Sequence, residues 1–257
     1  MNAKLFYFSG TGNSLAVTRK IAKKIEANSI YNMADSIETE VSEDIVGFIF
    51  PVYFQDVPEI VKDFINKIEF KSNPYIFGIA TCNGGPGFTL FNLDKILKYK
   101  GQKLSSGFTL TMPGNSVIIL DLTSNLELQK ERLQNSKIKL QKMSEMIIKQ
   151  LDAGIDGENK IKDRLEGFII QFAATKIYRA HKKFTTNEKC VKCGICYKIC
   201  PENNINVDKK VNWGNSCNLC LACFHWCPQN GIELGNSTKN RIRYHHPDII
   251  INDMILR

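Results

Sequence analysis

Ala3-Lys4-Leu5-Phe6-Tyr7-Phe8-Ser9-Gly10-Thr11-Gly12-Asn13-Ser14 decides how the first half of the chain folds. Residues 3–8 are mainly apolar, as a short buried strand is. Residues 9–14 are small, hydroxylated or amide-bearing. Leu15, Val17, Ile21, Ala22 and Ile25 then recur at helical intervals. A strand, such a loop and a helix N-terminus make an anion site: backbone N–H groups converge, hydroxyls add donors, and the helix dipole favours negative charge. The loop lacks the Gly-Lys-Ser/Thr ending of a nucleoside-triphosphate loop and the third glycine of the dinucleotide fingerprint. With no lysine, it suits a monophosphate held by neutral donors. A tight turn before a capped helix is the purely structural account of the same residues.

This stretch resembles the flavodoxin family, whose first strand is followed by Ser/Thr-x-Thr-Gly-Asn/Thr-Ser/Thr. Ser9, Gly10, Thr11, Gly12, Asn13 and Ser14 fit every position. The resemblance implies that the loop binds the phosphate of FMN. The order that follows agrees with it. Residues 30–33 read as a second strand, 45–50 as a central buried strand, 58–68 as a helix, and 75–80 as another strand. Residues 90–97 read as a helix and 108–111 as a fifth strand. The expected architecture is α/β: a flavodoxin-like, doubly wound five-stranded parallel sheet in the order 2-1-3-4-5. A long helical stretch over 125–151 closes it, with Leu133, Ile138, Leu140, Met143 and Ile147 as apolar contacts.

Ligands of such sheets bind beyond the carboxyl ends of the strands, so three loops matter: 9–14, 51–58 and 81–87. The second begins Pro51-Val52-Tyr53-Phe54. Tyr53 is the first candidate to stack on an isoalloxazine face and Phe54 the second, packing at the loop base being the alternative for each. The third runs Thr81-Cys82-Asn83-Gly84-Gly85-Pro86-Gly87. Its glycines let the backbone approach the flavin pyrimidine edge, with Thr81, Asn83, Gly84 and Gly85 as contacts. The flavodoxin resemblance leads one to expect an aromatic here. There is none, which leaves one flavin face open for a cluster or a partner. Residues 112–116 end the fifth strand on the same rim. Cys82 reads as a small strand-end residue.

Eight of the nine cysteines lie in the C-terminal third. They read Cys190-x2-Cys193-x2-Cys196-x3-Cys200-Pro201 and Cys217-x2-Cys220-x2-Cys223-x3-Cys227-Pro228. Each member of the first run has a counterpart 27 residues later, as do Ile205 (Ile232) and Val207 (Leu234): an internal repeat of one cysteine loop and its following strand. Zinc usually takes two separated cysteine or histidine pairs, and disulfides need an oxidising compartment, for which no secretory signal argues. The runs are similar to those of bacterial two-cluster ferredoxins, in which the fourth cysteine of each run ligates the other cluster. That resemblance assigns Cys190, Cys193, Cys196 and Cys227 to one [4Fe–4S] cluster, and Cys217, Cys220, Cys223 and Cys200 to a second. His225 and Trp226 read as packing residues between thiolates. A small α+β domain stabilised as much by its metal centres as by a core is expected.

The domain organisation read from the sequence is a flavodoxin-like FMN domain over 1–157, a bridging helix over 158–183, a two-cluster ferredoxin domain over 184–235, and a docking tail over 236–257. The tail carries the paired His245 and His246. The formal charge of +8 suggests acidic partners, but about −2 per cluster and about −2 for a flavin phosphate lower it to roughly +2. Nucleic acid is therefore not expected. A basic patch of Lys160, Lys162, Lys176, Arg179, Lys182 and Lys183 suits an acidic redox partner. No apolar run approaches a membrane span, and a cytoplasmic location is expected.

Residues 9–14, 51–53 and 112–115, both cysteine runs and the Arg-Tyr-His-His-Pro tail resemble the flavodoxin–ferredoxin fusion family known as EFR-type ferredoxins. The resemblance implies electron transfer between two [4Fe–4S] clusters and FMN, with redox proteins as partners and no catalytic acid or base. An FMN-dependent reductase of a small substrate fed by the clusters is one alternative. A redox sensor or scaffold whose flavodoxin-like half is empty is another.

Overall fold

The computed structural model describes residues 2–35, 40–118, 121–123, 125–157 and 182–256. The first half is an α/β sheet in the order β2-β1-β4-β6-β7-β8, all neighbours parallel. In chain order the elements are β1 (Ala3–Tyr7), α1 (Asn13–Ile25), β2 (Ser29–Asn32), β3 (Glu40–Val41), β4 (Ile45–Pro51), α2 (Glu59–Lys67) and β5 (Glu69–Phe70). β6 (Tyr75–Cys82), α3 (Thr89–Tyr99), β7 (Ser106–Thr111), α4 (Leu126–Ile148) and β8 (Gly154–Ile155) follow. β3 and β5 pair only with each other. The remaining strands give the order 2-1-3-4-5, extended by β8 as a sixth. β8 comes from the polar segment 152–157, which also joins the two halves; its two residues pair with Ser106 and Gly107.

The strands read as continuous apolar runs because both faces of the sheet are covered. Along β1 the side chains alternate: Leu5 and Tyr7 join the core under α1 and α4, while Phe6 joins the core under α2 and α3. Ile49 and Phe48 divide β4 in the same way. α4 is mostly polar. It touches the core through Leu140, Met143 and Ile147, and Asn125 caps it by accepting a bond from the Leu128 N–H at 2.9 Å. Ile138 does not belong to that contact row: it is 57% exposed, on the solvent side.

The second half is built from β9 (Phe184–Thr186), α5 (Ile195–Lys198), β10 (Ile205–Val207), β11 (Val211–Trp213), α6 (Ala222–His225) and β12 (Ile232–Leu234). β10 pairs with β11 and β12 with β9, both antiparallel. The sequence repeat is also a backbone repeat. Lys192, Gly194 and Asn203 have positive φ, and so do Leu219, Leu221 and Asn230, each 27 residues further on. Lys192, Leu219 and Leu221, three long side chains, thus hold a conformation that glycine takes freely, at a cost of about 1–3 kcal/mol each. Of the expected bridging helix over 158–183, all but residues 182 and 183 lies outside the described residues.

The two halves share one core. Ile199, Ala222 and Trp226 from the second, and Ile249 and Met254 from the tail, join the cluster under α1 and α4. The tail crosses α1 rather than leaving the molecule. Arg19 pairs with Asp253 at 2.6 Å and Lys20 with Asp248 at 3.2 Å. No helix among the described residues is long and apolar enough to cross a membrane.

Candidate functional site

A cleft of about 440 Å³ opens at the carboxyl ends of β1, β4, β6 and β7, within the size range of small-molecule sites. Ser9, Gly10, Thr11, Asn13, Ser14, Pro51, Tyr53, Phe54, Thr81, Asn83, Gly84 and Gly85 all line it. Gly12 is the predicted contact that does not. It stands at the N-terminus of α1 with φ +91°, and a side chain there would meet Ile249 of the tail at 3.1 Å.

The side chains of the 9–14 loop mostly shape the loop itself. Ser9 Oγ accepts from the Gly12 N–H at 3.0 Å, and Ser14 Oγ bonds Thr81 Oγ1 at 2.9 Å. Asn13 donates through Nδ2 to the Pro113 carbonyl at 3.0 Å and accepts the Tyr244 hydroxyl at 2.6 Å. Its side chain is therefore engaged away from any phosphate. Thr11 Oγ1 accepts from Asn115 Nδ2 at 2.9 Å, and its own proton remains to donate into the cleft. α1 has no side-chain cap. Its first-turn amides have no carbonyl one turn back to bond, so the donors best placed for an anion are backbone N–H groups and the Thr11 hydroxyl.

In the second loop Tyr53 and Asp56 exchange two backbone bonds, 3.1 and 2.9 Å, around Phe54 and Gln55, which both have positive φ. This tight reversal holds the Tyr53 ring edge-on to Phe8, with centroids 6.1 Å apart. Phe54 reaches the core of the second half. In the third loop, a side chain added at Gly84 or Gly85 would meet nothing within 4 Å. Packing does not dictate these glycines; they leave room in the cleft, as a flavin edge needs. Arg132 on α4 donates to Asn83 Oδ1 and fixes that amide. Its lysine-rich surroundings in the sequence give no sign of this. Cys82 points its thiol at the Gly84 carbonyl, and burial pushes it up to about 11, so it stays protonated, as a packing residue does.

The eight cysteines surround two cavities. Cys190, Cys193, Cys196 and Cys227 line one; Cys200, Cys217, Cys220 and Cys223 line the other. Each fourth cysteine faces the other run's loop. Four sulfurs line each cavity, an arrangement that suits a cube of irons taking one thiolate each. Burial pushes the Cys196 thiol up to about 11, and Cys193, Cys227 and Cys190 beside it add to the rise. Cys217 is raised to about 11, again by burial first, with Cys200 adding to it. Thiols raised in this way, as Cys196 and Cys217 are, ionise only beside a cationic centre. Backbone amides donate to Cys200 Sγ from Asn204 at 3.4 Å, to Cys217 Sγ from Leu219 at 3.4 Å and to Cys227 Sγ from Gly231 at 3.1 Å. Bonds of this kind favour the thiolate and tune a cluster's potential. Cys193 is the exposed member of its set.

The cleft and one cavity share a wall. Cys220 lines both, and Leu219 and Leu221 flank it in the cleft. His225, between the thiolates, is buried and held well below its usual range, at about 4, mainly by burial. Its Nε2 bonds the Asn115 carbonyl at 2.7 Å and its Nδ1 accepts from the Tyr244 N–H at 3.1 Å. Of the predicted basic patch, Lys182 and Lys183 are exposed; Lys160, Lys162, Lys176 and Arg179 lie outside the described residues.

The 4Fe-4S binding domain family matches residues 185–206. This chain carries a 4Fe–4S binding motif. No curated protein matches the chain at a significant level. Among solved structures it is similar to an FMN-dependent NADH-azoreductase from Bacillus anthracis in complex with FMN: 11% identity, 57% of this chain and 100% of that one, TM-score 0.39. It is also similar to rubredoxin oxygen:oxidoreductase from the anaerobe Desulfovibrio gigas, with 15% identity over 59% and 36% of the two chains and a TM-score of 0.38. A short-chain flavodoxin associated with a bacterial microcompartment gives 14% identity, 56% and 99% coverage, and a TM-score of 0.33.

Proposed function

We propose that this chain is an electron-transfer protein of the flavodoxin–ferredoxin fusion kind, with FMN in the cleft and two [4Fe–4S] clusters in the cysteine-lined cavities. Its units would be 1–157 for the flavin and 184–235 for the clusters, joined by 158–183 and followed by the tail. The observation that carries the reading is Cys220, which lines both the cleft and one cavity. Clusters carry one electron each, whereas a flavin takes one or two, so their junction couples the two kinds of redox chemistry. The chain's own residues hold and orient. Loop and first-turn amides other than that of Gly12, with the Thr11 hydroxyl, would grip the phosphate, Gly84 and Gly85 would leave room for the ring system, and Cys220 and its neighbours would exclude water between cleft and cavity. The exposed Cys193 corner is where a redox partner protein would exchange electrons with the outer set. Anaerobic purification followed by a visible spectrum and an iron assay tests this; protein that takes up no flavin when FMN is added defeats it.

Two substitutions sharpen the test. Thr11→Ala removes a hydroxyl donor to a charged phosphate, a loss of about 1.5–3 kcal/mol or roughly ten- to hundredfold in FMN affinity, with iron content unchanged. Equal binding in a fluorescence titration would remove the loop from the site. Tyr53→Ala should brighten the fluorescence of bound FMN, shift its reduction potential, and weaken binding by up to about tenfold through lost ring contact. If all three are unchanged, Tyr53 only packs against Phe8.

A further inference from the structure

We infer that Tyr244 and Trp226 are positioning residues of the phosphate loop, so that the affinity for the flavin phosphate is set in part by the cluster half and the tail; this rests on the FMN reading of the cleft. Trp226 Nε1 donates to the Gly10 carbonyl at 3.0 Å. The His246 N–H donates to the Thr11 carbonyl at 2.9 Å. Gly12 abuts Ile249, and the Tyr244 hydroxyl donates to Asn13 Oδ1 at 2.6 Å. Successive loop residues thus each take a contact from a segment more than 200 residues downstream.

The chemistry follows from the peptide unit. A loop that aims its N–H groups at an anion turns its carbonyls outward, and those carbonyls need donors once buried. The second half supplies them at Gly10 and Thr11. A bonded carbonyl also polarises its own peptide and strengthens the N–H on the other side: that of Thr11, which faces the anion, and that of Gly12, which holds the loop's shape through Ser9 Oγ. Tyr244 acts on the side chain of Asn13, the first residue of α1, and Tyr244 and Asn13 are both buried.

The unusual tail motif gains a role from this. Arg243 fastens the segment to the cluster half, donating to the Ile232 carbonyl at 2.7 Å and lying over the Phe224 ring. His245 stacks on Trp226 with centroids 4.4 Å apart. Arg243 and His245 hold to the cluster half, and Tyr244 and His246 to the phosphate loop.

The test compares FMN with riboflavin, which has the ring system and no phosphate. In Tyr244→Phe, with full iron content, FMN affinity should fall about tenfold through the lost buried bond, and riboflavin affinity should not change. Trp226→Phe, which keeps a ring against His245 but loses the donor to Gly10, should give the same selective loss. Parallel losses for both flavins would mean a general structural role and overturn the inference, as would unchanged FMN affinity in both variants. Wild-type protein that binds neither flavin overturns both readings, that of the cleft first.

Discussion

Cys200→Ala should cost about four irons per chain and leave the same surviving electron paramagnetic resonance signal as Cys217→Ala, although Cys200 belongs to the first run. Cys227→Ala and Cys190→Ala should leave the other signal. The reason is the path of the chain. Gly194, at φ +79°, starts α5, which carries Cys196 toward its own cavity. The step of three residues to Cys200 and the following Pro201 turn the fourth thiol away, so that it lines the cavity of Cys217, Cys220 and Cys223. The repeat gives Cys227 the reciprocal position. Serine variants, which keep an oxygen at the ligand position, separate loss of one cluster from collapse of the small domain. If Cys200→Ala leaves the signal that Cys190→Ala leaves, each run holds its own cluster and the crossed assignment is wrong. The two sets also differ in place. Loss of the Cys200 set should stop electrons from reaching the cleft, since Cys220 forms its wall.

Much of this arrangement is legible in the sequence because its causes are local. A strand buried on both faces must be apolar throughout, so β1, β4 and β6 stand out. Cysteines two or three residues apart must share a loop, so their gathering around two cavities is foreseeable. The small residues of 9–14 stand between a buried strand and a helix N-terminus, so a loop at the rim of a cleft is foreseeable there. What the sequence hides has non-local causes. β8 is two residues long at a sheet edge and carries no apolar run, so its segment reads as a linker. Asn13 reads as a phosphate donor by its type, but its amide is committed to Pro113 and Tyr244, residues 100 and 231 positions away. Arg132 reaches Asn83 from the middle of a polar helix. The tail's buried residues, Tyr244, His246, Ile249 and Met254, follow neither the helical nor the strand period, because a strap lying across a surface buries whatever it meets.

Gly10→Ala should uncouple the two halves. A Cβ at Gly10 would lie 2.4 Å from the Cys220 carbonyl oxygen and 3.0 Å from the Tyr53 hydroxyl. The first is a backbone atom of a cysteine loop, so no flexible side chain can swing aside; one loop must move. Overpacking of this kind costs about 1–3 kcal/mol, which lowers the population of the closely seated arrangement by roughly five- to 150-fold where seating and separation are near balance. The bond from Trp226 to the Gly10 carbonyl is strained by the same shift. Both cysteine sets stay intact, so iron content should be that of the wild type. The measurement is the rate at which bound FMN is reduced through the clusters, set beside its rate with a small chemical reductant that reaches the cleft directly. The first should fall by at least about the lower of these factors and the second should hold. Should both rates match the wild type with FMN and iron fully bound, then the contact of Gly10 with Cys220 has no part in passing electrons, and the shared wall is packing alone.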